Sequence, residues 1–94
     1  MEPLQQTILK PRPKQGISEE WIGEEIFLYD SEVDDGVLCL NSGAALIWLL
    51  CDGTREVEDI AGELATSFYL SEEQVLSEVR DTVTQLKTIG LLEG

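Results

Sequence analysis

The sequence predicts an α+β domain in which a three-stranded antiparallel β-meander is followed by three α-helices. Two observations carry that expectation. Short β-compatible runs separated by turn residues fill the segment from Gly16 to Asn41, and apolar residues recur at helical spacing from there to the C-terminus. The period changes at a single place, Asn41–Ser42, so strands and helices are segregated rather than alternating.

The first run holds Ile17, Trp21 and Ile22, and the second is Ile26-Phe27-Leu28-Tyr29, with Gly23-Glu24 as a tight turn between them. A longer turn, Asp30 to Gly36, leads into the third run, Val37-Leu38-Cys39-Leu40. Eight carboxylates and no cation lie between Ile17 and Gly36, so the outer surface of this sheet and its loops should be strongly negative. Such a surface reads either as a soluble face that resists edge-to-edge aggregation or as one that attracts a basic peptide or partner protein.

Asn41 or Ser42 is the natural N-cap of the first helix, which runs to Leu50 and tolerates Gly43 near its start. Its segment Ala44 to Leu50 is apolar on every face, which requires central burial or coverage by a partner, and Asp52-Gly53 stops it. The second helix spans Val57 to Phe68, with Val57, Ile60, Ala61, Leu64, Ala65 and Phe68 on one face. Glu56, Glu58 and Asp59 complement the positive end of its dipole. The third helix opens on Ser71-Glu72-Glu73-Gln74, a capping-box pattern, and closes at Gly90. Val75, Val79, Thr82, Val83, Leu86 and Ile89 form a stripe wide enough to supply core and still leave one flank for a groove.

Ahead of these elements, Lys10, Arg12 and Lys14 alternate with Pro11 and Pro13, and no further basic residue occurs before Arg55. Residues 1–15 therefore read as a flexible, proline-containing arm and residues 16–94 as the domain, with a strand-like cover over a sheet edge as the other reading of the arm.

Composition restricts function. A chain of 94 residues with 43% apolar content makes one domain with a modest core. Six basic residues stand against 19 acidic ones, a formal net charge of -13, and that field repels phosphate backbones and anionic lipid. No run approaches the eighteen or so apolar residues of a membrane span, and no secretory apolar core is present near Met1, so a cytoplasmic protein is expected. Two cysteines, Cys39 and Cys51, suit a reducing compartment, where they pack as small hydrophobes unless they serve redox chemistry. Enzymatic activity is not expected, and no cofactor or metal is implied. The chain has no His, and its paired acids, Glu24-Glu25 and Asp34-Asp35, read as solvated turns without a base, nucleophile or phosphate-cradling loop. Strands and helices in this order also describe a winged helix, a shape that often reads DNA. The third helix offers only Arg80 and Lys87 amid Glu72, Glu73, Glu78 and Asp81, which argues against nucleic acid.

The run Leu40-Asn41-Ser42-Gly43-Ala44-Ala45-Leu46-Ile47-Trp48, then Leu49-Leu50-Cys51-Asp52-Gly53, Val57 to Ile60, and a terminal segment from Leu86 ending Gly90-Leu91-Leu92 resemble the PqqD family. These are peptide chaperones, also called RiPP recognition elements, of ribosomal peptide natural-product biosynthesis. The likeness covers about residues 11–92. The chain departs from the family pattern at Glu56, where a hydroxyl residue is usual, which moves the expected cap of the second helix to Thr54, and in the acidic stretch Glu32 to Asp35.

The resemblance implies a non-catalytic adaptor that binds the leader segment of a precursor peptide as an added strand and presents it to a modifying enzyme. That enzyme would be a radical-SAM enzyme, as for pyrroloquinoline quinone, or a leader protease with a cyclase, as for a lasso peptide. An edge strand offers unpaired backbone groups for affinity, while pockets select side chains. The implied peptide-binding residues are Val37, Leu38, Cys39 and Leu40 on the third strand and Val75, Glu78, Val79, Thr82 and Leu86 on the third helix. Specificity is expected on the helix wall, because backbone bonds from the strand are indifferent to sequence. A structural subunit that docks on a larger biosynthetic enzyme through its apolar first helix, without touching a peptide, is the other reading.

Overall fold

The computed structural model describes residues 10–30 and 37–93. Its elements are β1 (Arg12–Pro13), β2 (Ile17–Ile22), β3 (Glu25–Asp30), β4 (Val37–Leu40), α1 (Ser42–Leu50), α2 (Val57–Phe68), α3 (Glu72–Thr88) and β5 (Leu92–Glu93). The three expected strands form an antiparallel sheet in the order β2-β3-β4, and the three expected helices follow.

The hairpin between β2 and β3 pairs Ile22 with Glu25, leaving a two-residue loop in which Gly23 has φ +65. A positive φ at the first loop position is what a type II′ turn demands, and glycine adopts it without a Cβ clash. Alternation then sorts the strands. Ile26 and Leu28 pair with Leu40 and Leu38 on the face that meets the helices, whereas Phe27 and Tyr29 pair with Cys39 and Val37 on the outer face. The turn from Ser31 to Gly36, including Asp34-Asp35, lies outside the described residues.

Asn41 caps α1 as expected, its Oδ1 accepting from the Ala44 amide at 2.9 Å. α1 is buried along Ala45, Ile47 and Trp48 only; Leu46 and Leu49 remain exposed, so the helix is not enclosed on every side. The indole N–H of Trp48 donates to Glu19 on β2 at 2.8 Å, tying the helix layer to the far strand of the sheet. α2 contributes Ile60, Ala61 and Ala65 to the same core, and α3 contributes Val75, Val79, Val83 and Leu86.

Two expected caps differ. The N-cap of α2 stays at Glu56 rather than moving to Thr54, because Glu56 and Asp59 form a reciprocal capping box, with the Glu56 amide donating to Asp59 at 3.1 Å. Thr54 instead donates through its amide and hydroxyl to Asp52, holding that carboxyl below its ordinary range, with Arg55 adding to the effect. Ser71 is the N-cap of α3, but its side chain makes no capping bond.

The N-terminal segment is placed differently from the expected arm over part of its length. Pro11 is fully buried and its carbonyl accepts from the Gly53 amide at 3.0 Å. Arg12 and Pro13 pair with Glu93 and Leu92, and the Lys14 amide donates to Leu91 at 3.0 Å. Lys14 also reaches Asp30 at 3.3 Å, anchoring the segment to the end of β3. Residues 11–14 thus pack with the domain and close the C-terminal strand β5. Among the described residues, no helix is long and apolar enough to cross a membrane.

α2 ends on Tyr69, which occupies the left-handed region at φ 56 and ψ 45 and is 94% exposed. An L side chain there costs roughly 1–2 kcal/mol, and glycine avoids the clash. Tyr69→Gly should therefore stabilise the fold by about 1 kcal/mol, since little burial is lost. A loss of stability in urea unfolding would show that the tyrosine makes a contact of greater worth than the strain.

Candidate functional site

β4 pairs with β3 on one side only, and no described strand lies along its other side. α3 stands across from that edge, and α1 begins at its end. Between them runs a groove of ≈ 730 Å³. β4 contributes Leu38, Cys39 and Leu40, the start of α1 contributes Asn41, Gly43, Ala44 and Ile47, and α3 contributes Glu78, Asp81, Thr82, Gln85, Leu86 and Ile89 among others.

The α3 residues follow from helix geometry. Glu78, Thr82, Gln85 and Ile89 recur at spacings of three and four, so they form one row. Val75, Val79, Val83 and Leu86 form the neighbouring row, which is pressed into the core. Of the residues expected at the site, Leu38, Cys39, Leu40, Glu78, Thr82 and Leu86 are brought together on the groove. Val75 and Val79 belong to the core and do not line the groove, whereas Leu40 and Leu86, although also buried, form its floor. Val37 lies outside the groove lining and is paired with Tyr29 on the outer face of the sheet. Sequence reasoning missed Asp81, Thr84, Gln85, Thr88, Ile89 and the start of α1 as groove residues. Gln85 was recoverable by stepping seven residues from Glu78, and Ile89 by stepping seven from Thr82.

The groove is amphipathic. Leu38, Ala44, Ile47 and Leu86 supply apolar surface, Thr82 and Gln85 neutral polar groups, and Glu78 and Asp81 the only charges among the described lining residues, none of which is a cation. A second depression of ≈ 770 Å³ is lined by Arg55, Glu58, Asp59, Gly62, Glu63, Thr66, Ser67 and Glu72. It offers no large apolar side chain, and Arg55 is already held by Glu63 at 2.6 Å and Asp52 at 3.0 Å. Apolar anchors have nowhere to bury there, so the β4–α3 groove is the better candidate site.

Both cysteines were expected to pack as small hydrophobes; Cys51 does and Cys39 does not. Cys39 is exposed on β4, while Cys51 is buried at the C-cap of α1. Burial, aided by the Asp52 charge, pushes the Cys51 thiol up to about 12. An unfolded thiol ionises at about 8.5. Between those values the folded chain keeps a proton that the unfolded chain has lost. Stability from this group is therefore full below about pH 8.5 and falls as pH rises through the window, by up to about 1.4 kcal/mol per pH unit. Cys51→Ala should flatten that alkaline decline in urea unfolding relative to the parent chain; parallel profiles would contradict the assignment. In the native protein, a thiol reagent should modify Cys39 and spare Cys51.

Two comparisons place this chain among known proteins. The family model described as "Coenzyme PQQ synthesis protein D (PqqD)" matches residues 25–92. Among solved structures, TbiB1 in complex with the TbiA(beta) leader peptide superposes with a TM-score of 0.78 at 20% identity, covering 88% of this chain and 95% of that one. The solution structure of the PqqD truncation of Methylobacterium extorquens PqqCD, described as a functional and stand-alone RiPP recognition element, gives a TM-score of 0.73 at 20% identity, covering 89% and 88%. At that identity the two structures establish a shared fold. No curated protein matches the chain.

Proposed function

We propose, from the premise that this chain belongs to the PqqD family, that it is a non-catalytic recognition element which binds the leader segment of a ribosomally made precursor peptide. The leader adds to β4 as a further strand, and the bound peptide is presented to a modifying enzyme in the cytoplasm. The observation that carries this reading is the one-sided pairing of β4 beside a groove with an apolar floor and α3 as its far wall. Backbone donors and acceptors along an edge give affinity to any extended segment, and the groove selects which side chains accompany it. The fold shared with TbiB1, solved with a leader peptide, supports the same reading.

The site residues proposed on this basis are Leu38, Cys39 and Leu40 for the strand and Glu78, Thr82 and Leu86 for the wall, joined by Asp81, Gln85 and Ile89. Val37 extends the strand edge through its backbone. Docking through α1 alone is less well supported, because α1 leaves only Leu46 and Leu49 as exposed large apolar side chains. The test is an NMR titration of the full chain with leader peptides encoded beside its gene. Amide shifts concentrated at Val37 to Leu40 and Glu78 to Ile89 are expected. No binding at micromolar concentration, or shifts centred on Leu46 and Leu49, would sink the reading.

A further inference from the structure

We infer that the peptide taken by this groove is cationic: an extended segment whose alternate apolar side chains enter the groove and which carries a lysine or arginine against Glu78 and Asp81 of α3. The inference rests on the peptide-binding reading above and adds to it the class of peptide.

A strand laid along β4 sends every second side chain toward the face shared by Leu38 and Leu40. There it meets Ile47 and Leu86, so those peptide positions are apolar. The opposite rim is charged. Glu78 and Asp81 are three residues apart on α3, about 4.5 Å along the helix axis, and both border the groove. No lining residue is a cation, and neither carboxylate has an ion pair among the described residues. Arg80 lies between them in sequence but reaches Glu58 of α2 at 3.5 Å, away from the groove. Arg55 is taken by Asp52 and Glu63, Arg12 by Glu93, and Lys14 by Asp30. These four cations are thus committed elsewhere and no described cation lines the groove, so the charge complement of the rim is one that a ligand can bring. The net charge of -13 steers such a peptide in and repels an acidic one.

The same net charge would draw any basic peptide weakly to the surface, so the test separates local from global attraction. A displayed library of random twelve-residue peptides is selected on the immobilised full chain at physiological ionic strength, and the winners are synthesised and titrated. Selected peptides should carry alternating apolar residues with Lys or Arg nearby, and changing that cation to Glu should weaken binding about tenfold. In the chain carrying Glu78→Gln and Asp81→Asn, most of that discrimination should vanish. It should persist in a control carrying Glu24→Gln and Glu73→Gln, which removes the same charge outside the groove. Equal discrimination in both variants, or winners without cations that still shift β4 and α3 resonances, would overturn the cationic class and leave the groove reading standing. A library that yields no peptide perturbing β4 and α3 would overturn both.

Discussion

Replacing Thr82 with Trp is expected to weaken leader-peptide binding about a hundredfold while leaving the domain folded, a change equal to about 2.8 kcal/mol. Thr82 is half-buried in the middle of the groove row of α3, between Glu78 and Gln85 and opposite β4. An indole there occupies the space that apolar peptide side chains need, and losses above about 2 kcal/mol are typical where a central anchor pocket is blocked. The fold should tolerate it. Thr and Trp have similar helix propensities, and Thr82 is only half-buried and lies on the groove row rather than with the buried Val79 and Val83. Isothermal titration reads the affinity, and urea unfolding of the same variant reads the stability. An affinity within threefold of the parent would mean that the peptide does not pass between β4 and α3.

Truncating Trp48 should have the largest effect on stability. Its side chain is 2% exposed in the last turn of α1, and its indole N–H is bonded to Glu19 of β2. Trp48→Ala should cost about 3–5 kcal/mol through lost burial and the cavity left behind. A domain of this length has in total only about 5–14 kcal/mol, taking roughly 0.05–0.15 kcal/mol per residue. Denaturation should therefore occur about 15–30 °C lower, or the chain should be partly unfolded at room temperature. Trp48→Phe separates the two contributions, because it keeps most of the ring volume and removes the donor. Glu19 is mostly exposed and can regain water, so that variant should lose only about 1–2 kcal/mol. If the two variants lost equal stability, the bond to Glu19 would outweigh the burial, contrary to the packing described.

The binding consequences of these two changes are expected to diverge. Thr82 belongs to the groove and acts on affinity at constant fold, whereas Trp48 supports the layer beneath β4 and α1. A Trp48 variant that still folds should bind leader peptide with reduced affinity only as far as its folded fraction falls. Measuring both quantities on both variants distinguishes a residue that touches the ligand from one that holds the scaffold.

The strands and helices of this domain were legible in the sequence because each is written in a local period. Val37 to Leu40 reads as a strand, Val57 to Phe68 as an amphipathic helix, and Asn41 as the cap where one pattern yields to the other. The absence of His and the excess of carboxylates were equally legible, since they need no structure. The pairing of Arg12-Pro13 with Leu92-Glu93 was not, because two residues carry no period and their partners lie some eighty positions away. Nor was the capping box of Glu56 and Asp59, in which two acids serve where a hydroxyl was expected.

The candidate site shows the same division at finer scale. Sequence alone determined that the third helix has an apolar stripe wider than one core row and that β4 ends at a helix cap beside it. Only the tertiary structure decided which row is core: Val75 and Val79 are pressed into the interior, while Glu78, Thr82, Gln85 and Ile89 face the edge of β4. The physical reason is that helical spacing specifies which residues share a row but not the rotation of the helix about its axis. That rotation is set by packing against other elements, chiefly α2 and also α1, which no pattern within the helix itself reveals.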